Sequence, residues 1–223
     1  MIKIGSIYQS AQCGNVKVLD KGTKPACHIV QFENTGTIKE FRDYTILNGC
    51  IRDPYARLVC GVGCTGNIKT KGKYKTYYSI WQDMINRCYN PNNKRYNPNV
   101  TVTNNWLVFE NFYHDCTEIE GFNAELIESG DLVLDKDTKQ RFQPTKLYSK
   151  ETCKWISKAD NVAMQDKQQK PFIAIAPDGT TFEDYNITRF AEEHNLTRKH
   201  ISAVLHQRIK STGGWKFYYK EIV

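Results

Sequence analysis

The chain has 223 residues, 40% hydrophobic and 12% aromatic, a composition that suits several small modules better than one extensive core. Its 31 Lys and Arg exceed its 24 Asp and Glu, and the pI near 8.9 suits a polyanionic partner. Neither an apolar leader in MIKIGSIYQS nor a run of membrane-spanning length occurs, which argues against secreted and membrane proteins. We therefore expect a cytoplasmic protein whose eight cysteines are reduced thiols.

The basic residues are concentrated in two blocks. Residues 66–100 hold seven Lys and Arg against one acid, and residues 198–220 hold six against none. Residues 104–137, between the blocks, hold nine acids and one lysine. Two basic blocks on either side of an acidic one would suit a protein that holds phosphates around a metal site, although ordinary solvated surface gives the same pattern.

The first 65 residues have the pattern of a small β module. Three short runs of strand-forming residues, at 16–19, 27–32 and 38–41, are separated by Gly and Asn turn formers. Several short strands in so short a span predict a small β-barrel or a curled sheet. The stretch GVGCTG at 61–66 follows, and it is not a phosphate-binding loop, because no Lys-Ser/Thr pair comes after it in register.

Two helices are predicted in the next segment. Apolar residues recur at three- and four-residue steps over 77–89, and a second helix is expected over 105–117. Each helix carries a stripe of aromatic residues. Such a stripe is far more often core than a platform for stacking bases, so we expect both stripes to be buried.

A strand, a polar loop, a second strand and a short helix are predicted between residues 132 and 166. Asp135 ends the first strand, the loop covers 136–150, and Asn161 lies in the helix that begins directly after the second strand, 152–157. In a ββα fold those two positions can converge on one cation, and carboxylate and amide oxygens suit Mg²⁺ or Mn²⁺. Such an ion can stabilise the charge that develops on a scissile phosphate.

The sequences LVLDKD and TCKWISKADN of this unit resemble those of intron-encoded HNH homing endonucleases of phages. The resemblance implies that Asp135 and Asn161 are metal ligands and that Asp137 supports the site. The chain departs from the family at Lys136, which stands where the family has the histidine that activates water. A protonated Lys is a poor general base unless burial lowers its pKa, so Lys136 is a candidate for neutralising phosphate instead. His114 is the nearest histidine in sequence and a second catalytic candidate, although a lone His is usually structural.

The chain from residue 77 onward is also similar to a group of phage-encoded HNH-type proteins. The similarity rests on a Trp-containing helix ending in RCY, on W…FENF, on LDKD and on YSKETC, at residues 81–89, 106–112, 134–137 and 148–153. The Asp-Lys-Asp form recurs in that group, which implies that Lys136 is normal for the lineage. The alternative is a degenerate ββα element that serves folding or DNA binding.

Residues 187–207 fit a helix-turn-helix. Ala191 has the small-residue position of the first helix and Ile201 the core position of the second. Asn195 falls at the turn, where left-handed backbone favours Gly or Asn, and Thr197 is the expected N-cap of the second helix. With the flanking KPFIAIAPDGTTFEDY and GGWKFYYK, the segment resembles the C-terminal module of the intron-encoded enzymes, in which short strands frame a helix-turn-helix that reads DNA. The alternative is a helical hairpin that does not read DNA.

These features predict an α+β protein with an accessory β-barrel-like module (1–65), an HNH-like ββα-metal nuclease core with flanking helices (66–166) and a helix-turn-helix module framed by short strands (167–223). The predicted protein is a phage-encoded monomer that hydrolyses double-stranded DNA one strand at a time, with one Mg²⁺ or Mn²⁺ ion. Its expected DNA contacts are Arg198, Lys199, His200, Ser202, Arg208, Lys210, Lys73 and Lys75. The alternatives are a non-catalytic DNA-binding regulator with a degenerate HNH fold, and a protein that inhibits a host factor.

Overall fold

The computed structural model describes residues 2–140, 143–164 and 170–220. The chain forms two compact units, one made of Met1–Lys139 and Thr145–Ile156 and the other of Gln140–Pro144 and Ser157–Val223. Both units contain helices and strands, so the predicted mixture of α and β structure is confirmed. The predicted module boundary at 166–167 lies outside the described residues. Within the described ranges, no helix has both the length and the apolar character needed to cross a bilayer.

An antiparallel sheet and a short helix open the first unit. They are β1 (Ile7–Ser10), β2 (Gly14–Lys21), β3 (Cys27–Phe32), β4 (Ile38–Arg42) and α1 (Asp43–Leu47). Alternate residues of the central strands, Val16, Val18, Val30 and Phe32, are fully buried and share a core with Ile46 of α1. The described sheet has the order β1-β2-β3-β4 with β1 and β4 as its edges. Of the two predicted forms, the open sheet of the described residues agrees with the curled sheet and not with the barrel, because four short strands are too few to close around a core.

The middle of the first unit is built around aromatic side chains. Its elements are α2 (Lys75–Tyr89), β5 (Val100–Val102), α3 (Phe109–Asp115) and α4 (Ala124–Ser129), with 3₁₀ turns at Gly72–Tyr74, Asn104–Leu107 and Cys116–Glu118. Trp81, Trp106, Phe109 and Phe112 are completely buried, which confirms that the aromatic stripes form the core. The Trp81 indole N–H donates to the backbone carbonyl of Trp106 at 2.6 Å, so its polar atom is satisfied inside this core.

The single helix predicted over 105–117 is wrong. The chain is extended at Val108, with φ −99° and ψ 117°, between a 3₁₀ turn and α3. The glycine-rich loop causes this break. The Cys64 N–H donates to the Leu107 carbonyl, and the Cys64 carbonyl accepts the Phe109 N–H, both at 2.9 Å. These two hydrogen bonds hold the backbone straight where a helix would turn it.

The segment around Asp135 contains three strands and a helix. They are β6 (Leu132–Asp135), β7 (Lys146–Tyr148), β8 (Lys154–Ser157) and α5 (Lys158–Met164). The predicted strand ending at Asp135 and the predicted helix directly after Ser157 are confirmed, and β6 pairs with β8. The uninterrupted loop predicted over 136–150 is wrong, because β7 pairs in parallel with β5, Val102 opposite Tyr148. The predicted end of the helix, at residue 166, lies outside the described residues.

The second unit packs two helices on a three-stranded antiparallel sheet. Its elements are β9 (Phe172–Ile175), β10 (Thr181–Asp184), α6 (Ile187–Glu193), α7 (Arg198–Leu205) and β11 (Lys216–Tyr219), in the sheet order β10-β9-β11. Ala191 and Ile201 are buried, as predicted. Asn195 has the predicted left-handed backbone, with φ +53°. Thr197 is the N-cap residue of α7, but its side chain makes no capping hydrogen bond.

Candidate active site and nucleic-acid interface

Asp135 combines burial with a fixed carboxylate. It is the last residue of β6 and is 5% exposed. Its Oδ2 accepts the backbone N–H of Thr138 at 2.8 Å, which orients the carboxylate where the chain turns away from the strand. Such an oriented carboxylate oxygen is a suitable ligand for a hard cation.

Asp137 joins two lysine side chains. Lys136 Nζ donates to its Oδ2 at 2.8 Å, and Lys146 Nζ donates to its Oδ1. Burial opposes the ionisation of Asp137, but the hydrogen bonds and charges of the two lysines outweigh it and hold the pKa of this carboxyl below its usual value. The lysine side chains are 15% and 23% exposed, whereas that of Asp137 is 51% exposed. The cluster therefore holds two ammonium groups at fixed places, with one carboxylate between them.

A third cation is linked to this cluster through Tyr148. Lys136 Nζ lies 5.4 Å from the centroid of the Tyr148 ring. Burial raises the pKa of the Tyr148 hydroxyl, against the charge and hydrogen bond of Arg87. Arg87 also pairs with Asp83 at 2.9 Å, while its buried Nε has no hydrogen-bond partner among the described residues. The sequence did not predict a role for Lys146 or Arg87, because the parallel pairing of β5 with β7, the strand that carries Lys146 and Tyr148, has no local signal in the sequence.

Asn161 lies in the first turns of α5. The Ser157 hydroxyl donates to Asp160 Oδ2 at 2.7 Å and accepts the Asp160 N–H at 3.0 Å, so this pair caps the start of the helix. The Asn161 side chain is half-buried. Asn161 belongs to the second unit and Asp135 to the first, and their binding to one cation stays a prediction.

The available ligand groups suit a hard cation that prefers oxygen ligands better than they suit zinc. Among the described residues, no three His, Cys, Asp or Glu side chains converge on one point. A site built on a single carboxylate such as that of Asp135 would leave most coordination positions to water and phosphate, which is usual for Mg²⁺. Burial raises the pKa of the Cys88 thiol to about 11 and that of Cys153 to about 12, so neither is a ready thiolate ligand. His114 is exposed on α3, where its ring contacts Tyr113.

The outer side of α7 carries the predicted DNA contacts. Arg198, Lys199 and His200 are exposed, and Ser202 is half-buried, while Ile201 between them is completely buried. Ion pairs between described residues of this unit involve Arg189 and Lys220, not the basic residues of α7. The first turns of α7 therefore present uncompensated positive charge to solvent.

The remaining predicted contacts are also exposed. Arg208 and Lys210 follow α7 in the second unit. In the first unit Lys73 lies in the 3₁₀ turn before α2, and Lys75 is the first residue of that helix. Lys73 Nζ lies 5.1 Å from the centroid of the Tyr74 ring. Long exposed lysines of this kind can reach phosphates without a change of fold.

No protein-family profile and no curated protein matches this chain. A solved structure titled "DNA binding and cleavage by the HNH homing endonuclease I-HmuI" is similar over 97% of this chain and 88% of that chain. The two sequences are 17% identical, and the TM-score is 0.24. At that TM-score the similarity transfers neither function nor site residues, so the function rests on the side chains of this chain.

Proposed function

We propose that this protein binds double-stranded DNA and hydrolyses phosphodiester bonds, one strand at a time, with one Mg²⁺ or Mn²⁺ ion. The observation that carries the proposal is the buried, oriented carboxylate of Asp135, followed in the chain by a carboxylate that holds two lysines. A carboxylate that can hold a cation, next to ammonium groups that can hold an anion, is the arrangement that phosphate chemistry requires.

Each side chain of the cluster has a distinct role in this proposal. Asp135, with Asn161 as the predicted second ligand, would hold the cation, and the cation would stabilise the negative charge on the phosphate. Lys136 and Lys146 donate to the non-bridging phosphate oxygens. Asp137 fixes the separation of the two ammonium groups and neutralises one of their charges. Since Lys136 is paired with a carboxylate, it is not the base, and His114 is the candidate that accepts the proton of the attacking water.

The second unit supplies target choice. In this role α7 of a helix-turn-helix enters the major groove, with Arg198, Lys199, His200 and Ser202 facing base edges and phosphates. Arg208, Lys210, Lys73 and Lys75 contact the phosphate backbone and supply affinity. The resemblance of the LDKD and YSKETC segments to phage HNH-type proteins supports a phage-encoded nuclease. We propose that it acts as a monomer in the host cytoplasm.

A non-catalytic DNA-binding protein is the second candidate. The observation that favours it is the ion pair between Lys136 and Asp137, since an ion-paired ammonium group is a poor general base. Such a protein would bind DNA through the exposed basic residues of α7.

Cleavage of supercoiled DNA separates the two candidates. Purified protein is incubated with the plasmid in Mg²⁺, in Mn²⁺ and in excess chelator. We expect open-circular product with either ion and none with chelator, and an Asp135→Asn variant that binds DNA but does not nick it. Binding without any cleavage in either ion would support the regulator instead, and cleavage that survives both chelator and Asp135→Asn would exclude a metal site at Asp135.

A further inference from the structure

A cavity of about 480 Å³ lies in the first unit, away from the Asp135 cluster. It is bounded by Gln12, by Lys39 of β4, by Tyr78 and Gln82 of α2, and by residues 52–54, 56, 58, 59 and 63–68. Its volume is within the range of small-molecule sites, roughly 300–1,000 Å³. Nothing in the proposed nuclease reaction uses it.

The glycine-rich loop makes one wall of this cavity rigid. Gly66 has φ +69°, and a Cβ there would lie 2.5 Å from Glu110 Oε2. The same Glu110 carboxylate accepts the Asn67 N–H at 2.9 Å. A Cβ at Gly63 would lie 2.9 Å from the Trp81 ring. The loop can therefore pack against α2 and α3 only with glycine at these positions, and the wall is preformed for a ligand.

The charged lining favours an anion. Lys39 and Arg52 are its two cations, and neither forms an ion pair with a described residue. Asp53 is the one acid of the described lining, and it is 4% exposed. Its carboxylate accepts the Thr35 hydroxyl and the Tyr55 N–H, so both oxygens already have donors. Two cations against one internally bonded carboxylate leave the cavity positive.

The neutral lining suits the rest of a nucleotide. Burial raises the pKa of the Tyr78 hydroxyl although the charge of Arg52 opposes the rise, so this hydroxyl is available as a hydrogen-bond donor. The side-chain amides of Gln12 and Gln82 add donors and acceptors, and Pro54 and Val59 add apolar wall. Cations, amides and apolar surface together match a phosphate that is attached to a sugar and a base.

We propose that this cavity binds a single nucleotide, with its phosphate at Arg52 and Lys39 and its nucleoside against the side chains of α2. The nucleotide is either free or one unit of a DNA strand, since both present the same chemistry to the cavity. This mode of binding does not require a glycine-rich phosphate-binding loop, because side chains hold the phosphate.

Calorimetric titration in excess chelator tests the proposal without involving the metal-dependent site. The probes are dAMP, dCMP, dGMP, dTMP, inorganic phosphate and deoxyadenosine, added to the full chain, to Arg52→Gln and to Lys39→Gln. Lys17→Gln is the matched control, because Lys17 is an exposed lysine on β2 outside the cavity. We expect saturable binding of at least one nucleotide, weakened roughly tenfold by Arg52→Gln, as for one charge-assisted contact. Lys17→Gln should bind as the wild type does.

The proposal is overturned if no nucleotide binds saturably, if both cavity variants bind like the wild type, or if inorganic phosphate binds as tightly as every nucleotide. A competing oligonucleotide distinguishes the two sources. If it displaces the nucleotide, and Arg52→Gln weakens oligonucleotide binding as well, the ligand is part of a strand. If Arg52→Gln loses the free nucleotide but keeps its affinity for DNA, the ligand is a free nucleotide. Failure of Asp135-dependent cleavage would leave each of these results unchanged.

Discussion

The two regions assigned to DNA carry their positive charge in opposite ways. Arg198 and Lys199 on α7 are exposed and form no ion pair with a described residue. Lys136 and Lys146 are mostly buried, and both are paired with Asp137. Exposed charge is screened by salt and free to adapt to a partner, whereas buried and paired charge is already fixed and screened much less.

This contrast separates affinity from chemistry. Uncompensated surface cations gain free energy by releasing counterions from DNA, so their contribution falls steeply as salt rises. A fixed cation pair beside a carboxylate acts on the reacting phosphate, where preorganised charge lowers the barrier without reorganisation. Changes in the Asp135 cluster should therefore alter the cleavage rate, and changes on α7 should alter binding.

The largest effect is expected from Asp135→Asn. The amide oxygen can still accept the Thr138 N–H, so the turn after β6 is kept while the charge that holds the cation is lost. We expect the nicking rate to fall at least about 100-fold, or about 3 kcal/mol in the barrier, with little change in DNA affinity.

Rate and affinity are measured on the same protein by single-turnover nicking and by filter binding. Asp131→Asn is the matched control, because Asp131 is exposed just before β6 and its side chain accepts a hydrogen bond from the Ser129 hydroxyl, outside the Asp135 cluster. If Asp131→Asn reduces nicking as much as Asp135→Asn does, the effect belongs to the β6 segment and not to a metal ligand.

A smaller loss of rate is expected from the lysines. Lys136→Ala and Lys146→Ala should each cost about 1–3 kcal/mol in transition-state stabilisation, roughly a five- to 150-fold loss of rate. Lys136→His should preserve or raise nicking at pH 7 to 8, because an imidazole can accept a proton and an ammonium cannot. The comparison is a pH–rate profile of the three variants. Equal losses in Lys136→His and Lys136→Ala would mean that no base can act from position 136.

On α7 the expected effect is on affinity and its salt dependence. Arg198→Ala and Lys199→Ala should each lower the slope of log K against log salt by roughly one and leave the nicking rate at saturating DNA unchanged. Lys220→Ala is the matched control in the same unit, because Lys220 is already paired with Glu183 at 2.7 Å. An unchanged slope in both α7 variants would remove this helix from the interface.

Local sequence determines α6 and α7, and for that reason they could be predicted. The small residue at Ala191, the left-handed turn at Asn195 and the core position at Ile201 depend on helical spacing within one short segment. The end of β6 at Asp135 and the start of α5 after Ser157 were predictable for the same reason, since each is a local change of pattern.

Long-range pairing determines the parts that the sequence did not predict. The aromatic spacing at 105–117 is helical, yet hydrogen bonds from Cys64 interrupt the helix at Val108. Strand β7, which carries Lys146, pairs in parallel with β5, and a parallel pair has no short turn that could be recognised in the sequence. The position of β1 and β4 at the edges of the described N-terminal sheet likewise depends on strand order and not on local pattern.

The smallest expected effect is on stability in acid, and it compares Asp137 with Asp184 of the second unit. Burial opposes the ionisation of both carboxyls. Hydrogen bonds and charges from Lys136 and Lys146 nevertheless hold the pKa of Asp137 below its usual value. Hydrogen bonds from Asn186 and Arg189, with the charge of Arg189, do the same for Asp184. A pKa lowered by folding stabilises the protein above the unfolded value, about 3.9 for Asp, and this stabilisation is lost as the pH falls through the folded pKa. Thermal unfolding between pH 7 and 2 should therefore show a smaller loss of stability with falling pH in Asp137→Asn and in Asp184→Asn than in the wild type.

The two variants should differ in size. The contribution of Asp137 to the pH dependence of stability should be below about 1 kcal/mol, because that side chain is half exposed and solvent screens its ion pairs. The Asp184 side chain is 8% exposed and pairs with Arg189 at 2.8 Å, so its variant should lose more of the pH dependence. Equal pH dependence in both variants would mean that burial does not separate the two sites.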